Sequence, residues 1–213
     1  GLGDVYKRQA FSPDGRTLYF CSAEAKKIPE EYKEIRYNLC SIDFDPSAGT
    51  FGSRIDTLVN AEALGKSVSF PRPSYDGKYI MFTLSDYGNF SIWHKEANLW
   101  LLDLTSGDLR ELSEVNSDDT ESFHNWSSNS RWFVFSSRRG DGLYTRLYLA
   151  SMDENGKISK PFLLPQEDTE TYYDRSVYSY NVPDFTSEPI KIDTRVFEKK
   201  ITSKERIQVQ AKK

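Results

Sequence analysis

The chain contains few residues that could perform acid–base or metal chemistry, and these do not form a catalytic pattern. Its two histidines are His94 and His124, and neither has a second ligand at the spacing of a helical or finger-type zinc site. The sequence has no Gly-x-Ser-x-Gly elbow to present a nucleophilic serine, and no glycine-rich phosphate loop. The sequence therefore predicts no catalytic residue, no metal site and no cofactor.

Side chains suited to binding are concentrated in segments 86–96 and 138–145. The first segment is rich in aromatic and polar groups, which are common at interaction surfaces. The second begins with two arginines, which could clamp a carboxylate or a phosphate. Two structural alternatives stay open: the aromatic rings could only pack their own loop, and the arginines could pair with Asp141 or a neighbouring element. The candidate binding residues are Tyr87, Phe90, Trp93, His94, Arg138 and Arg139.

Composition and charge favour an all-β protein that does not bind nucleic acid. Hydrophobic residues make up 38% of the 213 residues and aromatic residues 14%, and aromatic side chains suit half-buried strands. The net charge is −4, whereas a binder of nucleic acid or of an anionic membrane needs clustered Lys and Arg. Residues 194–213 carry seven Lys or Arg against two Glu. We expect this segment to be a basic, disordered tail.

Two cysteines, Cys21 and Cys40, are too few for a disulfide framework or a zinc site. We expect them to be near neighbours on adjacent strands, with residue 21 opposite residue 39, which leaves open both two thiols and a single bridge. No stretch of the sequence has the roughly 18 apolar residues of a membrane span. A membrane contact is expected only through an N-terminal signal or lipid anchor outside this sequence.

A repeated turn and strand organises the chain. Phe-Ser-Pro-Asp-Gly-Arg-Thr-Leu-Tyr-Phe at 11–20 aligns with Pro-Ser-Tyr-Asp-Gly-Lys-Tyr-Ile-Met-Phe at 73–82 and with Trp-Ser-Ser-Asn-Ser-Arg-Trp-Phe-Val-Phe at 126–135. In the first two copies Asp-Gly supplies the positive φ of a tight hairpin. The third copy has Asn129-Ser130 instead, which leaves its turn type open.

A second strand and turn follow each copy, at 38–43, 98–103 and 146–153, and each leads to a glycine. Every unit thus holds four short strands, which is typical of a β-propeller blade. A β-sandwich is the alternative, but it would not repeat the same two turns in the same order. We predict three four-stranded antiparallel blades of an incomplete ring, with strands of the middle blade near 67–72, 78–84, 97–103 and 108–113.

The repeated turns resemble those of TolB-like propellers, which are related to WD repeats. Four further segments resemble envelope propellers of Bacteroidetes: 69–79, 86–97, 126–139 and 179–185. The resemblance implies a secreted or lipid-anchored protein of the periplasm or outer membrane, and it implies no reaction.

The expected organisation covers six segments. Residues 1–9 read like translated sequencing adapter, so the true N-terminus is expected to lie elsewhere. The segments are 1–9 adapter read-through, 10–60, 61–115 and 116–166 blades, 167–193 a closing segment, and 194–213 the tail.

We expect a non-enzymatic binding module whose partner is an envelope protein or peptide, with a small ligand as a further option. Two alternatives stay open: the propeller portion of a larger peptidase or lyase, and a structural component of an envelope complex. In a propeller the loops between second and third strands share one face at the channel mouth. Segments 24–36, 86–96 and 138–145 are these loops.

Overall fold

The computed structural model describes residues 9–168 and 171–204. The repeated units fold into three antiparallel sheets of four strands each, which are three blades of a propeller. The first blade contains β1 (Gln9–Phe11), β2 (Thr17–Ser22), β3 (Asn38–Asp45) and β4 (Thr50–Val59). The second contains β5 (Ser67–Pro73), β6 (Tyr79–Ser85), β7 (Asn98–Asp103) and β8 (Leu109–Glu111). The third contains β9 (Glu121–Trp126), β10 (Trp132–Ser137), β11 (Arg146–Ser151) and β12 (Phe162–Leu163).

Within each sheet the strands follow chain order, so the predicted four-strand unit is confirmed. The first strands of successive blades, β1, β5 and β9, lie next to one another. These strands therefore form the inner side of the radial arrangement, where the channel of a propeller lies.

Most of the apolar core of the described residues lies in two layers between neighbouring blades. One layer joins the first and second blades, with Tyr19, Leu39 and Phe82 among its buried members. The other joins the second and third blades and contains Trp126 and Phe133. Because each blade buries both sheet faces only when it has neighbours, most of the stability of the chain resides in these two layers.

The turn before the second strand has the same form in all three blades. Gly15 and Gly77 have φ of 70° and 71°, and Ser130 takes the same role at 56°. The serine hydroxyl also accepts a hydrogen bond from the backbone N–H of Asp76 at 2.9 Å. This contact links the turns of the second and third blades and offsets part of the strain of a non-glycine residue at positive φ.

The cysteines lie on adjacent strands but face opposite sides of the first blade. Cys21 pairs with Leu39, as predicted, and Cys40 pairs with Phe20. Since side chains alternate along a strand, the one-residue offset points the two thiols away from each other. Neither cysteine is part of a disulfide, so the option of a bridge is not realised.

Residues 179–184 dock on the third blade. Their hydrogen bonds match those by which the first strand of the second blade docks on the first blade. Where blades meet, Val68 N–H donates to Tyr37 O at 2.9 Å, and Tyr180 N–H donates to Thr145 O at 3.1 Å. Tyr37 N–H also donates to the Ser67 hydroxyl at 3.0 Å. Its counterpart is the longer 3.4 Å contact from Thr145 N–H to the Ser179 hydroxyl. Segment 179–184 therefore occupies the position of the first strand of a fourth blade.

The C-terminal part of the chain also contains two helices, α1 (Tyr172–Arg175) and α2 (Thr194–Thr202). Helix α2 lies where the sequence predicted a disordered tail. Asp193 caps its N-terminus by accepting from Arg195 N–H at 3.0 Å, which satisfies a backbone donor that a disordered segment would leave to water. Segments 1–8 and 205–213 of the predicted read-through and tail lie outside the described residues, whereas Gln9 belongs to β1. No helix among the described residues is long and apolar enough to cross a membrane.

Candidate interaction surface at the loop face

The loops after β6 and β10 meet at a contact between an arginine and a tryptophan. The guanidinium carbon of Arg138 lies 4.6 Å from the ring centroid of Trp93. Trp93 is 72% exposed, and it ends a short 3-10 helix, Ser91–Trp93, that positions the ring. A cation above an indole is an attractive arrangement. The contact connects the second blade to the third and holds a large ring in solvent.

Two further apolar side chains lie exposed in the same two loops. Phe90, just before the 3-10 helix, is 45% exposed, and Leu143 is 70% exposed. We call Phe90, Trp93, Arg138 and Leu143 the mouth surface. Leu143 was missed by the sequence analysis, because a single leucine in a polar loop carries no pattern that distinguishes an exposed residue from a buried one.

Tyr87 and His94, both predicted as binding residues, pack against each other inside the loop that contains Phe90 and Trp93. Their rings meet edge to face at 4.5 Å, and Tyr87 also meets Tyr32 of the first blade at 5.2 Å. His94 is buried, and its Nδ1 lies 2.8 Å from Glu96 Oε1. The contacts of these two residues therefore favour packing of the loop, one of the two alternatives left open.

Arg139 points inward and is separated from Arg138. It donates to the fully buried carboxylate of Glu121 at 2.9 Å and its guanidinium lies 4.5 Å from the ring of Tyr148. The same Glu121 Oε1 accepts from the hydroxyls of Ser117 at 2.6 Å and Ser137 at 2.8 Å. The two arginines do not form one clamp: Arg138 lies half-buried against Trp93, and Arg139 is part of an internal ion pair.

The electrostatics of this ion pair are dominated by desolvation. Burial raises the pKa of Glu121, while its hydrogen bonds and the charge of Arg139 act in the opposite direction. A buried carboxylate with three side-chain donors is a structural arrangement that links the start of β9 to the end of β10.

The described residues contain no group of three or more His, Cys, Asp or Glu side chains that could hold a metal ion. The second histidine, His124, is buried in β9, with its Nε2 2.9 Å from Met81 O. Burial lowers the pKa of His124 to about 3. The imidazole is therefore neutral near pH 7 and is not accessible from the mouth surface.

Comparison with known proteins identifies the fold through structure rather than sequence. No protein-family model matches the chain, and no curated protein is significantly similar to it in sequence. A protein assigned as TolB from Agrobacterium tumefaciens is 19% identical, with a TM-score of 0.50 over 76% of this chain and 50% of that protein. TolB from Acinetobacter baumannii is 20% identical, with a TM-score of 0.46 over 76% of this chain and 32% of that protein. An oligogalacturonate lyase in complex with manganese is 12% identical, with a TM-score of 0.48 over 74% of this chain and 41% of that protein.

The chain thus spans between about a third and a half of the length of these solved structures. At such low identity the similarity concerns the fold alone. Together with the three four-stranded sheets and their inner first strands, the similarity to the Agrobacterium structure shows that this chain consists of β-propeller blades.

Proposed function

We propose that the chain is a binding module that holds a protein or peptide partner on the mouth surface, without chemistry of its own. The observation that carries the proposal is the contact between Trp93 and Arg138, which keeps a tryptophan 72% exposed at a junction of two blades. Trp and Arg are the residue types most enriched among side chains that dominate binding energy.

The shape of the site supports a macromolecular partner. Phe90 and Leu143 add exposed apolar side chains on the two loops, and the guanidinium of Arg138 adds a cation beside Trp93. A partner that presents an apolar side chain and a carboxylate would match both features. The rings of Tyr87 and His94 pack against each other within the same loop. This packing orders the loop before binding and so lowers the conformational entropy that is lost when a partner binds.

We place the protein in the cell envelope as part of the same proposal. The support is the resemblance of segments 69–79, 86–97, 126–139 and 179–185 to envelope propellers, together with the TolB-like fold. An envelope protein or peptide is therefore the expected partner.

The test compares two mouth variants with one control. Purified envelope partners are titrated against the wild-type chain, Trp93→Ala, Arg138→Ala and the control Trp132→Ala. Trp132 is also an exposed tryptophan, at 41%, but it begins β10 at the end opposite to the mouth surface.

We expect Trp93→Ala to weaken binding by about 2 kcal/mol, roughly 30-fold, and Arg138→Ala by about 1 kcal/mol or more. Trp132→Ala should leave the affinity unchanged. Equal affinities for the wild-type chain and both mouth variants, with thermal unfolding unchanged, would contradict the proposal and place the binding site elsewhere.

A further inference from the structure

The inner strands contain a second, smaller site. Phe70 in β5 and Phe123 in β9 occupy equivalent positions, and both have positive φ, 55° and 46°. Such a backbone is strained for a bulky side chain. Each phenylalanine lies where the pairing with the second strand shifts register, as at a β-bulge. Their ring centroids lie 4.8 Å apart, and both side chains are buried.

The docked segment 179–184 places Val182 at the position that is equivalent to Phe70 and Phe123. The interblade hydrogen bonds align Val182 with the two phenylalanines, and they align Asp184 with Arg72 and Asn125. These residues, with His124 and Pro183, line a pocket of about 70 Å³. The small volume fits a small molecule or one end group of a larger one.

Arg72 presents unused donors to this pocket. Among the described residues its guanidinium makes no hydrogen bond and no ion pair within 4.0 Å. The guanidinium is partly desolvated, which lowers the pKa of Arg72, and the charge of Asp184 acts in the opposite direction. A guanidinium has five N–H donors in a planar fork that matches a carboxylate. These donors are partly desolvated but accessible from the pocket, so this side chain is suited to a ligand.

Asp184 supplies the opposite charge. Its Oδ1 accepts from Asn125 Nδ2 at 2.7 Å and from Phe185 N–H at 2.8 Å, which fixes the orientation of the carboxylate. Its Oδ2 has no hydrogen bond within the described segments and is an available acceptor. A cationic donor and an anionic acceptor thus lie in one small pocket without pairing with each other.

We propose that this pocket binds a small α-amino acid, whose carboxylate lies on Arg72 and whose ammonium group lies on Asp184. A compact zwitterion can place its two opposite charges on these two side chains at once, whereas a simple anion on Arg72 would lie near the carboxylate of Asp184. The neutral imidazole of His124 adds no charge to this selection.

The probes are glycine, acetate and methylammonium, titrated into the full chain. The readout is the NMR signal of the Trp126 indole N–H, which donates to Arg72 O at 3.1 Å and therefore reports on the pocket wall. The variants are Arg72→Gln, Arg72→Lys and Asp184→Asn. Arg131→Gln is the matched control, because Arg131 pairs with the exposed Glu154 outside the pocket.

We expect a saturable shift with glycine that neither acetate nor methylammonium reproduces at equal concentration. Arg72→Gln should weaken glycine about tenfold or more, since it removes a charged hydrogen-bond donor. Arg72→Lys should give an intermediate loss, and Asp184→Asn should reduce the preference for glycine over acetate. Arg131→Gln should bind as the wild-type chain does.

Absence of a saturable shift with glycine would overturn the proposal, as would equal binding of glycine and acetate, or an Arg72→Gln variant that binds glycine normally. The outcome is independent of the mouth surface. Trp93→Ala should bind glycine normally even if it has lost its protein partner.

Discussion

His124 couples folding to pH through its charge state. Burial is the main reason that its pKa falls from 6.5 to about 3, and the nearby charge of Arg72 adds to the effect. Below pH 6.5 the unfolded chain binds a proton that the folded chain excludes until about pH 3. Stability should therefore fall with acidification across this window, by up to about 1.4 kcal/mol per pH unit.

His124→Gln tests this expectation, because glutamine keeps a side-chain donor for Met81 O but does not titrate. Urea unfolding at a series of pH values should show a steeper acid loss in the wild-type chain than in the variant. Parallel curves between pH 6 and pH 4 would contradict the assignment of this proton to His124.

The ion pair between Glu121 and Arg139 is a second residue-scale test. Glu121→Ala leaves a largely buried guanidinium without its carboxylate, and we expect a loss of about 3 kcal/mol in the free energy of unfolding. Glu154→Ala is the matched control, because Glu154 is an exposed partner of Arg131 and should cost less than about 1 kcal/mol. The free energy of unfolding is measured by urea unfolding. Similar losses of this free energy in the two variants would show that burial does not increase the contribution of the ion pair to stability.

At the scale of elements, Arg146 holds the C-terminal segment on the third blade. Its guanidinium donates to the carbonyl oxygens of Tyr178, Ser176 and, at 3.3 Å, Tyr173. Ser136 adds a hydroxyl donor to Tyr180 O at 2.9 Å. The segment that occupies the position of a fourth first strand therefore depends mainly on side chains of the third blade.

Arg146→Ala should release segment 172–185 while the three blades stay folded. We expect amide hydrogen exchange of Tyr180, whose N–H donates to Thr145 O, to accelerate about tenfold or more, since Arg146 alone donates to three carbonyl oxygens of the segment. Exchange in β6 and β10 should be unchanged. Undiminished protection of Tyr180 would show that the segment is held by other contacts.

The elements were predictable because each one depends on local chemistry. Four strands per blade follow from turn residues and apolar runs, and the predicted bounds of the second blade lie within about two residues of those observed, a margin common to assignments of strand ends. The sequence predicted a closing segment at 167–193 but not the docking of 179–184 in the position of a first strand, although Val182-Pro183-Asp184 follows Ser179 as Phe70-Pro71-Arg72 follows Ser67. No further copy of the repeated turn and strand follows this segment in the sequence, so the pattern that reveals a complete blade is missing.

The candidate site was only partly predictable for a different reason. Two adjacent arginines look alike in a sequence. In the structure Arg138 contacts the ring of Trp93, whereas Arg139 forms an ion pair with Glu121. The two side chains differ because neighbouring residues at a strand end point in different directions. The pocket beside Arg72 depends on residues far apart in sequence and on two bulges, and neither feature leaves a local pattern.

At the scale of the whole molecule, the first blade leaves one apolar face uncovered. The ring centroid of Phe44 lies 5.3 Å from that of Phe11 and 4.9 Å from that of Phe51. Phe51 is 53% exposed and Ile55 is 58% exposed. An exposed apolar sheet face of this kind promotes association. We expect the chain to self-associate as its concentration rises.

Sedimentation velocity should detect this association, and the double variant Phe51→Ser with Ile55→Ser should reduce it. Leu64→Ser is the control, because Leu64 is also exposed, at 54%, but lies in the connection between the first two blades. A wild-type chain that stays monomeric at all concentrations, or a control as effective as the double variant, would exclude the outer face as the cause.

Position-specific photo-cross-linking tests the binding account most directly. A photoreactive phenylalanine replaces Phe90, which leaves Trp93 in place, or, as the control, Trp132, and the protein is irradiated in the cells of its source organism. We predict one dominant cross-linked protein from position 90, reduced when Trp93→Ala or Arg138→Ala is added, and no such product from position 132. Equal yields from the two positions, or no product from position 90, would contradict the claim that the loops of the second and third blades form the binding surface.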